Sequence, residues 1–158
     1  MRAVGRMLFM AACFVAFSEN GEARGRPFGA GVMLGEPTGL STKVWLQEMC
    51  AVDAGVAWSF VDDGSFHLHG DFLLHPLNLL RWVEKAPGKL PFYFGAGGRV
   101  RFAHRTHVGI RVPLGAVFTF NNFTDWPVDL FVELVPIVDL YPATDAAFNG
   151  GIGGRYYF

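Results

Sequence analysis

The run Ser65-Phe66-His67-Leu68-His69-Gly70-Asp71 is a dense cluster of side chains that could do chemistry. In a strand, successive side chains point to opposite faces, so His67, His69 and Asp71 would share one face. A His-x-His pair with a carboxylate can ligate a divalent metal. The triple lacks an obvious further ligand, although His75 has the same parity, and histidines bonded to neighbouring carboxylates are the commoner outcome. No metal site and no cofactor are therefore expected. Ser65 with His67 near one strand end, and His104 with His107 near another, are the remaining candidates for nucleophile and base. No spacing completes a Ser/His/acid set, so no catalytic residue is assigned and no enzyme is expected. The glycine-rich stretch Gly95–Arg99 lies inside an alternating segment, with no helix after it to offer an N-terminus to a phosphate.

The elements that would position these side chains are strands. Apolar and polar residues alternate over residues 27–34, 38–47, 50–60, 65–75, 91–102, 107–120, 127–141 and 148–158, with turn residues between them. Most segments approach the ~9–11 residues that a tilted strand needs to cross a bilayer. Eight is an even number, as closed bacterial barrels require.

Parity then separates two faces. One carries the cations Lys43, Arg99, Arg101, Arg111 and Arg155, and the acids Asp53, Asp71, Asp129, Glu133 and Asp139. His67 and His69 fall on this face too, with Gly29, Gly31, Gly95, Gly97, Gly109 and Gly115. The other face is apolar, as in Val52, Val56 and Trp58, or Leu130, Val132 and Leu134, and no charge falls on it within a strand core. A soluble, lipocalin-like barrel would turn the apolar face inward to hold an apolar ligand; a membrane barrel turns it to lipid. The glycines favour the membrane arrangement, because eight strands enclose an interior barely wide enough for side chains. Bulky aromatics near strand ends (Phe28, Phe60, Phe66, Phe102, Phe118, Phe158) suit interfacial girdles. The expected fold is all-β, an eight-stranded antiparallel up-and-down transmembrane barrel. Five cations against five acids give a near-neutral lumen whose charges are expected to form ion pairs and close the bore.

Composition agrees. The 158 residues carry a formal net charge of −1, which offers no basic field for nucleic acid. Hydrophobic residues make up 51 %, yet no run approaches the ~18 apolar residues of a membrane helix. Twenty glycines beside sixteen phenylalanines suit barrel architectures. Residues 1–23 read as an export signal: Arg2 and Arg6, then the apolar MLFMAACFVAF, then small residues around Gly21-Glu22-Ala23. Met10–Cys13 also resembles a lipoprotein processing box, which would make Cys13 a lipidation site. Cleavage after Ala23 leaves residues 24–158 as one domain with Cys50 alone, so no internal disulfide is expected.

The ending GGIGGRYYF places Gly153, Tyr156 and Phe158 as Gly-x-x-aromatic-x-aromatic, similar to the C-terminal insertion signal of bacterial outer-membrane proteins. Gly151 stands where that signal usually has a polar residue. From about Pro27 to Phe158 the chain resembles the small eight-stranded outer-membrane barrels of the OmpA/OmpX-type class. The stretches LGEPTGLSTKVWL and GGIGGRYYF are similar to those of small outer-membrane proteins of Gram-negative bacteria. The resemblance implies outer-membrane lipid and the barrel-assembly machinery as partners, a structural or envelope-maintenance role, and no catalytic motif. A lipid-modifying enzyme or a narrow pore are the alternatives on the same fold. Nothing in the pattern fixes an oligomeric state.

Both termini are expected in the periplasm, with short outer turns at Gly35–Pro37, Val61–Gly64, Ala103–Thr106 and Pro142–Ala147. The long connection 76–90 falls on the periplasmic side, where Leu77, Leu80 and Val83 recur at helical spacing and suggest a short helix on the rim. Pro113 and Pro136 lie inside strands, where each removes a ladder hydrogen bond; bulges are expected to absorb them.

Overall fold

The computed structural model describes residues 26–47, 49–60, 64–78, 91–119 and 127–158. The expected export signal, Cys13 and residues 79–90 of the expected rim helix lie outside them.

Nine strand segments follow one another: β1 Phe28–Glu36, β2 Thr38–Trp45, β3 Cys50–Ser59, β4 Ser65–Asn78, β5 Pro91–Phe102, β6 Thr106–Arg111, β7 Leu114–Thr119, β8 Val128–Tyr141 and β9 Asp145–Tyr157. All pairings are antiparallel, and apart from β6 and β7 each segment pairs with its neighbours in sequence. β6 and β7 are two halves of one strand, both lying between β5 and β8. The last strand returns to the first, with Ala30 opposite both Thr42 of β2 and Tyr156 of β9. The sheet is thus an eight-stranded closed ring, which removes the exposed edges that an open sheet would have to protect. Among the described residues there is no helix, and Pro76–Asn78 of the expected helical segment belong to β4.

Strict alternation is the reason these residues form this wall. From Ala51 on, the exposed positions of β3 are Val52, Ala54, Val56 and Trp58, and the buried ones Ala51, Asp53, Gly55, Ala57 and Ser59, with only Cys50 at the strand's start buried out of phase. β8 repeats the pattern, with Leu130, Val132, Leu134, Val138 and Leu140 outward. The outer wall is therefore apolar and the charges are inside, the reverse of a lipocalin-like cavity. Aromatic rings mark both ends of the wall. Trp58, Phe66 and Phe102 form a row across β3, β4 and β5, with successive centroids 6.2 Å apart. At the opposite end Phe158 lies 6.1 Å from Phe28 and 5.1 Å from Tyr156.

The connections at the Trp58 end that consist wholly of described residues are tight. Only Pro37 separates β1 from β2, and the turn is closed by Thr38, whose Oγ1 donates to Gly35 O (2.8 Å) and accepts from Gly35 N–H (3.2 Å). β9 begins at Asp145, so three residues of the expected turn Pro142–Ala147 belong to the strand.

The prolines are not absorbed by bulges, contrary to expectation. Pairing with β8 keeps one phase from Gly109↔Asp139 through Arg111↔Ile137 to Leu114↔Leu134, and pairing with β5 is equally unbroken. Both carbonyls stay in the ladder: Gly95 N–H donates to Pro113 O (2.9 Å) and Val112 N–H to Pro136 O (3.0 Å). Register shifts occur elsewhere, in the β4–β5 pairing between Leu74 and Leu77, around Pro76, and in the β6–β8 pairing between Val108 and Gly109.

Candidate functional site

Among the described residues, the inward parity delivers side chains to the lumen in successive layers. Its lowest layer, near the termini, is an aromatic box around Lys43. This lysine is fully buried (0 % exposed), with Nζ hydrogen-bonded to His75 Nε2 at 2.8 Å. The ammonium lies 4.4 Å from the Trp45 ring centroid and 5.3 Å from that of Tyr93, close enough for cation–π attraction. His75 is itself sandwiched between those rings, with centroids 4.5 Å and 5.1 Å away.

The middle layer is an ionic network. Arg155 Nη2 donates to Ser41 Oγ (2.8 Å) and Asp53 Oδ2 (3.1 Å), while its guanidinium covers the Phe131 ring at 4.0 Å. Arg111 bridges two acids. Its Nη2 donates to Glu133 Oε1 (3.1 Å), and its Nε lies 2.9 Å from Asp71 Oδ2 as a charge contact not aligned for hydrogen bonding. Tyr93 O–H donates to the other Glu133 oxygen at 2.7 Å. Asp129, also buried, stands opposite Arg155 in the β8–β9 ladder.

Toward the Trp58 end, Arg99 grips Asp139 through two parallel bonds, Nε to Oδ1 (3.0 Å) and Nη2 to Oδ2 (2.7 Å). Such fork-to-fork pairs are among the strongest that side chains make. The half-buried Arg101 is flanked in the ladders by His67 of β4 and His107 of β6. Beside them Ser65 Oγ lies 2.8 Å from His67 Nε2. This is the pair a hydrolase would use, but both residues are buried toward the lumen and His67 Nδ1 has no acceptor to orient it.

Of the twelve residues singled out by parity, ten are buried, and His69 and Arg101 are half-buried. Four ion pairs join seven of them: Arg99–Asp139, Arg111–Asp71, Arg111–Glu133 and Arg155–Asp53. The histidines took other partners than the expected carboxylates. His67 meets Ser65 and His75 meets Lys43, while His69 leans over Gly55, where a Cβ would run into its ring. His69 does converge with two acids: one ligand-type atom each from Asp53, His69 and Asp71 lies within 4.8 Å of the others. Sequence reasoning overlooked Ser41 and Tyr93 as members of the network, although both share the inward parity of the charges. A cavity bordered by Met33, Arg111, Glu133 and Gly151 has a volume of about 10 Å³, room for about one water.

Of the terminal motif, Gly153 faces inward against the Phe131 ring, and Tyr156 and Phe158 face outward.

No family model matches the chain, and no curated protein sequence matches it. Its fold is similar to the crystal structure of the N-terminal β-barrel domain of Pseudomonas aeruginosa OprF, with a TM-score of 0.64 and 13 % identity over 85 % of this chain and 100 % of that one. The fold is accordingly an eight-stranded, antiparallel, closed β-barrel, as in that domain.

Proposed function

We propose that this chain is an integral outer-membrane protein with a structural, envelope-maintaining role, built as a closed barrel that conducts no solute. The observation that carries this reading is the pairing of an apolar outer wall with an interior filled by bonded charge. The exposed belt of Val, Leu and Ile between two aromatic rows would be an aggregation surface in water and is matched to hydrocarbon in a bilayer. Inside, Lys43 with its aromatic box and the Arg99–Asp139 clamp stack above one another, so a solute would have to break buried ion pairs to pass.

In this reading the end carrying the termini faces the periplasm and the tight turns face outward. Residues 1–23 direct export and are removed. Gly153, Tyr156 and Phe158 present the insertion signal to the barrel-assembly machinery, and outer-membrane lipid is the lasting partner. Short outer turns offer little surface for adhesion or receptor binding.

The test is electrophoretic migration of the full chain expressed in a Gram-negative host, with and without boiling, alongside membrane fractionation. A heat-dependent shift of a species in the outer-membrane fraction is expected. A protein that stays soluble without detergent and shows no shift would overturn the reading. Planar-bilayer recording then separates plug from pore, since frequent, well-defined conductance steps would contradict the closed lumen.

A further inference from the structure

Asp53 and Asp71 are direct partners in the β3–β4 ladder, both pointing inward and both only 3 % exposed. Like charges in that relation repel, and in a sealed interior the repulsion is poorly screened. The neighbouring cations do not balance it. At this depth Asp53, Asp71, Asp129 and Glu133 face Arg111, Arg155 and Lys43, because Arg99 is taken up by Asp139 and the half-buried Arg101 stands nearer the Trp58 end, between His67 and His107. Four carboxylates against three cations leave a net negative charge, which favours uptake of a cation there, whether a proton or a metal ion.

Atoms without partners show where such a cation would sit. Asp53 Oδ1, Asp71 Oδ1 and His69 Nδ1 are each buried with no hydrogen-bond partner. Buried polar atoms are rarely left this way, and although other lumenal atoms such as His67 Nδ1 and Asp129 Oδ2 share the condition, these three belong to the side chains whose ligand-type atoms lie within 4.8 Å of one another. A metal with bonds of ~2.0–2.2 Å holds its ligand atoms at most about 4.4 Å apart, so small side-chain rotations close the set. The wall makes room for them. A Cβ at Gly55 would run into the His69 ring, and one at Gly97 into the Asp71 carboxylate.

We propose that Asp53, His69 and Asp71 form a buried lumenal site for one divalent first-row cation, of which Zn²⁺ is the type, tying β3 to β4 from inside the barrel. One imidazole and two carboxylates make a borderline ligand set that favours such ions over Mg²⁺ or Ca²⁺. A fourth position remains for the second oxygen of either aspartate or for water. Arg111 and Arg155, each on the far oxygen of one aspartate, would hold the carboxylates in orientation as outer partners. The site needs only a folded barrel and does not depend on which membrane contains it.

Because the lumen is closed, loading belongs to folding. The full chain is refolded in detergent with Zn²⁺, Co²⁺ or EDTA, desalted, and assayed for retained metal; the Co²⁺ sample is also read by visible absorption. About one Zn²⁺ per folded chain is expected, with a Co²⁺ spectrum of nitrogen–oxygen ligation and a higher unfolding temperature in the gel assay than after EDTA. D53N/H69Q should drop retention to near zero, and H104Q/H107Q, at the rim, should leave it unchanged. Should D53N/H69Q fail to fold, the wild-type stoichiometry, the Co²⁺ spectrum and the rim variant still decide. Folded wild-type protein that retains no metal would overturn the proposal and mean that the two aspartates share a proton. So would undiminished retention by folded D53N/H69Q, or loss of metal from the rim variant.

Discussion

Gly97 and Asp71 share one volume on adjacent strands: a Cβ on the glycine would fall on the Asp71 carboxylate and on the β4 backbone. Its neighbour Gly98 points outward, and a Cβ there would meet nothing nearer than Gly109 O at 3.8 Å. Gly97→Val should therefore abolish the folded, heat-modifiable form or cost at least ~1–3 kcal/mol. Gly98→Val should fold as the wild type does. Equal behaviour of the two variants would contradict the register of β4 and β5.

Arg111 is the only side chain that contacts both Asp71 and Glu133 in the ion pairs of the described residues. Replacing it by Met strands two buried carboxylates, and a loss of ~3–5 kcal/mol is expected. Urea-induced unfolding in detergent micelles, followed by intrinsic fluorescence, measures it. A change below about 1 kcal/mol would mean that water reaches the network.

For Arg99 and Asp139 the pair matters as a pair. R99M and D139L each leave one charge buried without its partner, whereas the double variant leaves none. The double variant should be more stable than either single one, by a coupling of ~1–3 kcal/mol. Simple additivity in a double-mutant cycle would show that the two charges do not depend on each other.

On the outer wall, depth should set the penalty. Leu134 stands midway along β8 and Tyr141 at its end. Leu134→Arg is expected to cost ~2–4 kcal/mol in a bilayer and Tyr141→Arg only ~0–1 kcal/mol. Refolding into lipid vesicles and comparing unfolding midpoints tests this. A chain whose wall does not meet lipid would show no such gradient.

Deletion of Phe158 separates recognition from stability. The ring lies at the end of the wall, 64 % exposed, touching Phe28 and Tyr156. Loss of the residue should slow accumulation of the folded protein in cells while leaving spontaneous folding in detergent nearly intact. Equal losses in both assays would assign Phe158 a packing role only.

Much of this architecture was legible because alternation of period two is a strong signal when one side of a wall meets an apolar medium and the other a crowded interior. A shift of one residue would turn Asp53 or Arg155 to the outside, so the pattern fixes which face each charge takes. Partner choice was another matter. Parity says that His67, His69, Asp53 and Arg101 share a lumen, but not which of them meet, since that depends on stagger between strands. His67 took Ser65 from its own strand, and His69 settled over Gly55 of β3. Tyr93 and Ser41 were overlooked because attention went to formal charges, yet a phenol and a hydroxyl complete the bonding of Glu133 and Arg155.

The in-phase passage of the chain through Pro113 has a mechanical consequence. A closed ring resists parting because every strand is stitched to both neighbours. Pro113 and Pro136 each lack an N–H to give: Pro113 on the β5 side, where Gly95 N–H reaches its carbonyl, and Pro136 on the β6/β7 side, where Val112 N–H reaches its own. Stitches are thus missing at one height on both seams of this strand, where the pairing stays in phase and no local register slip spreads the load. When thermal motion or an extraction force opens this wall, it tears there first, and the earliest amide deuteration within the strands will outline that gap.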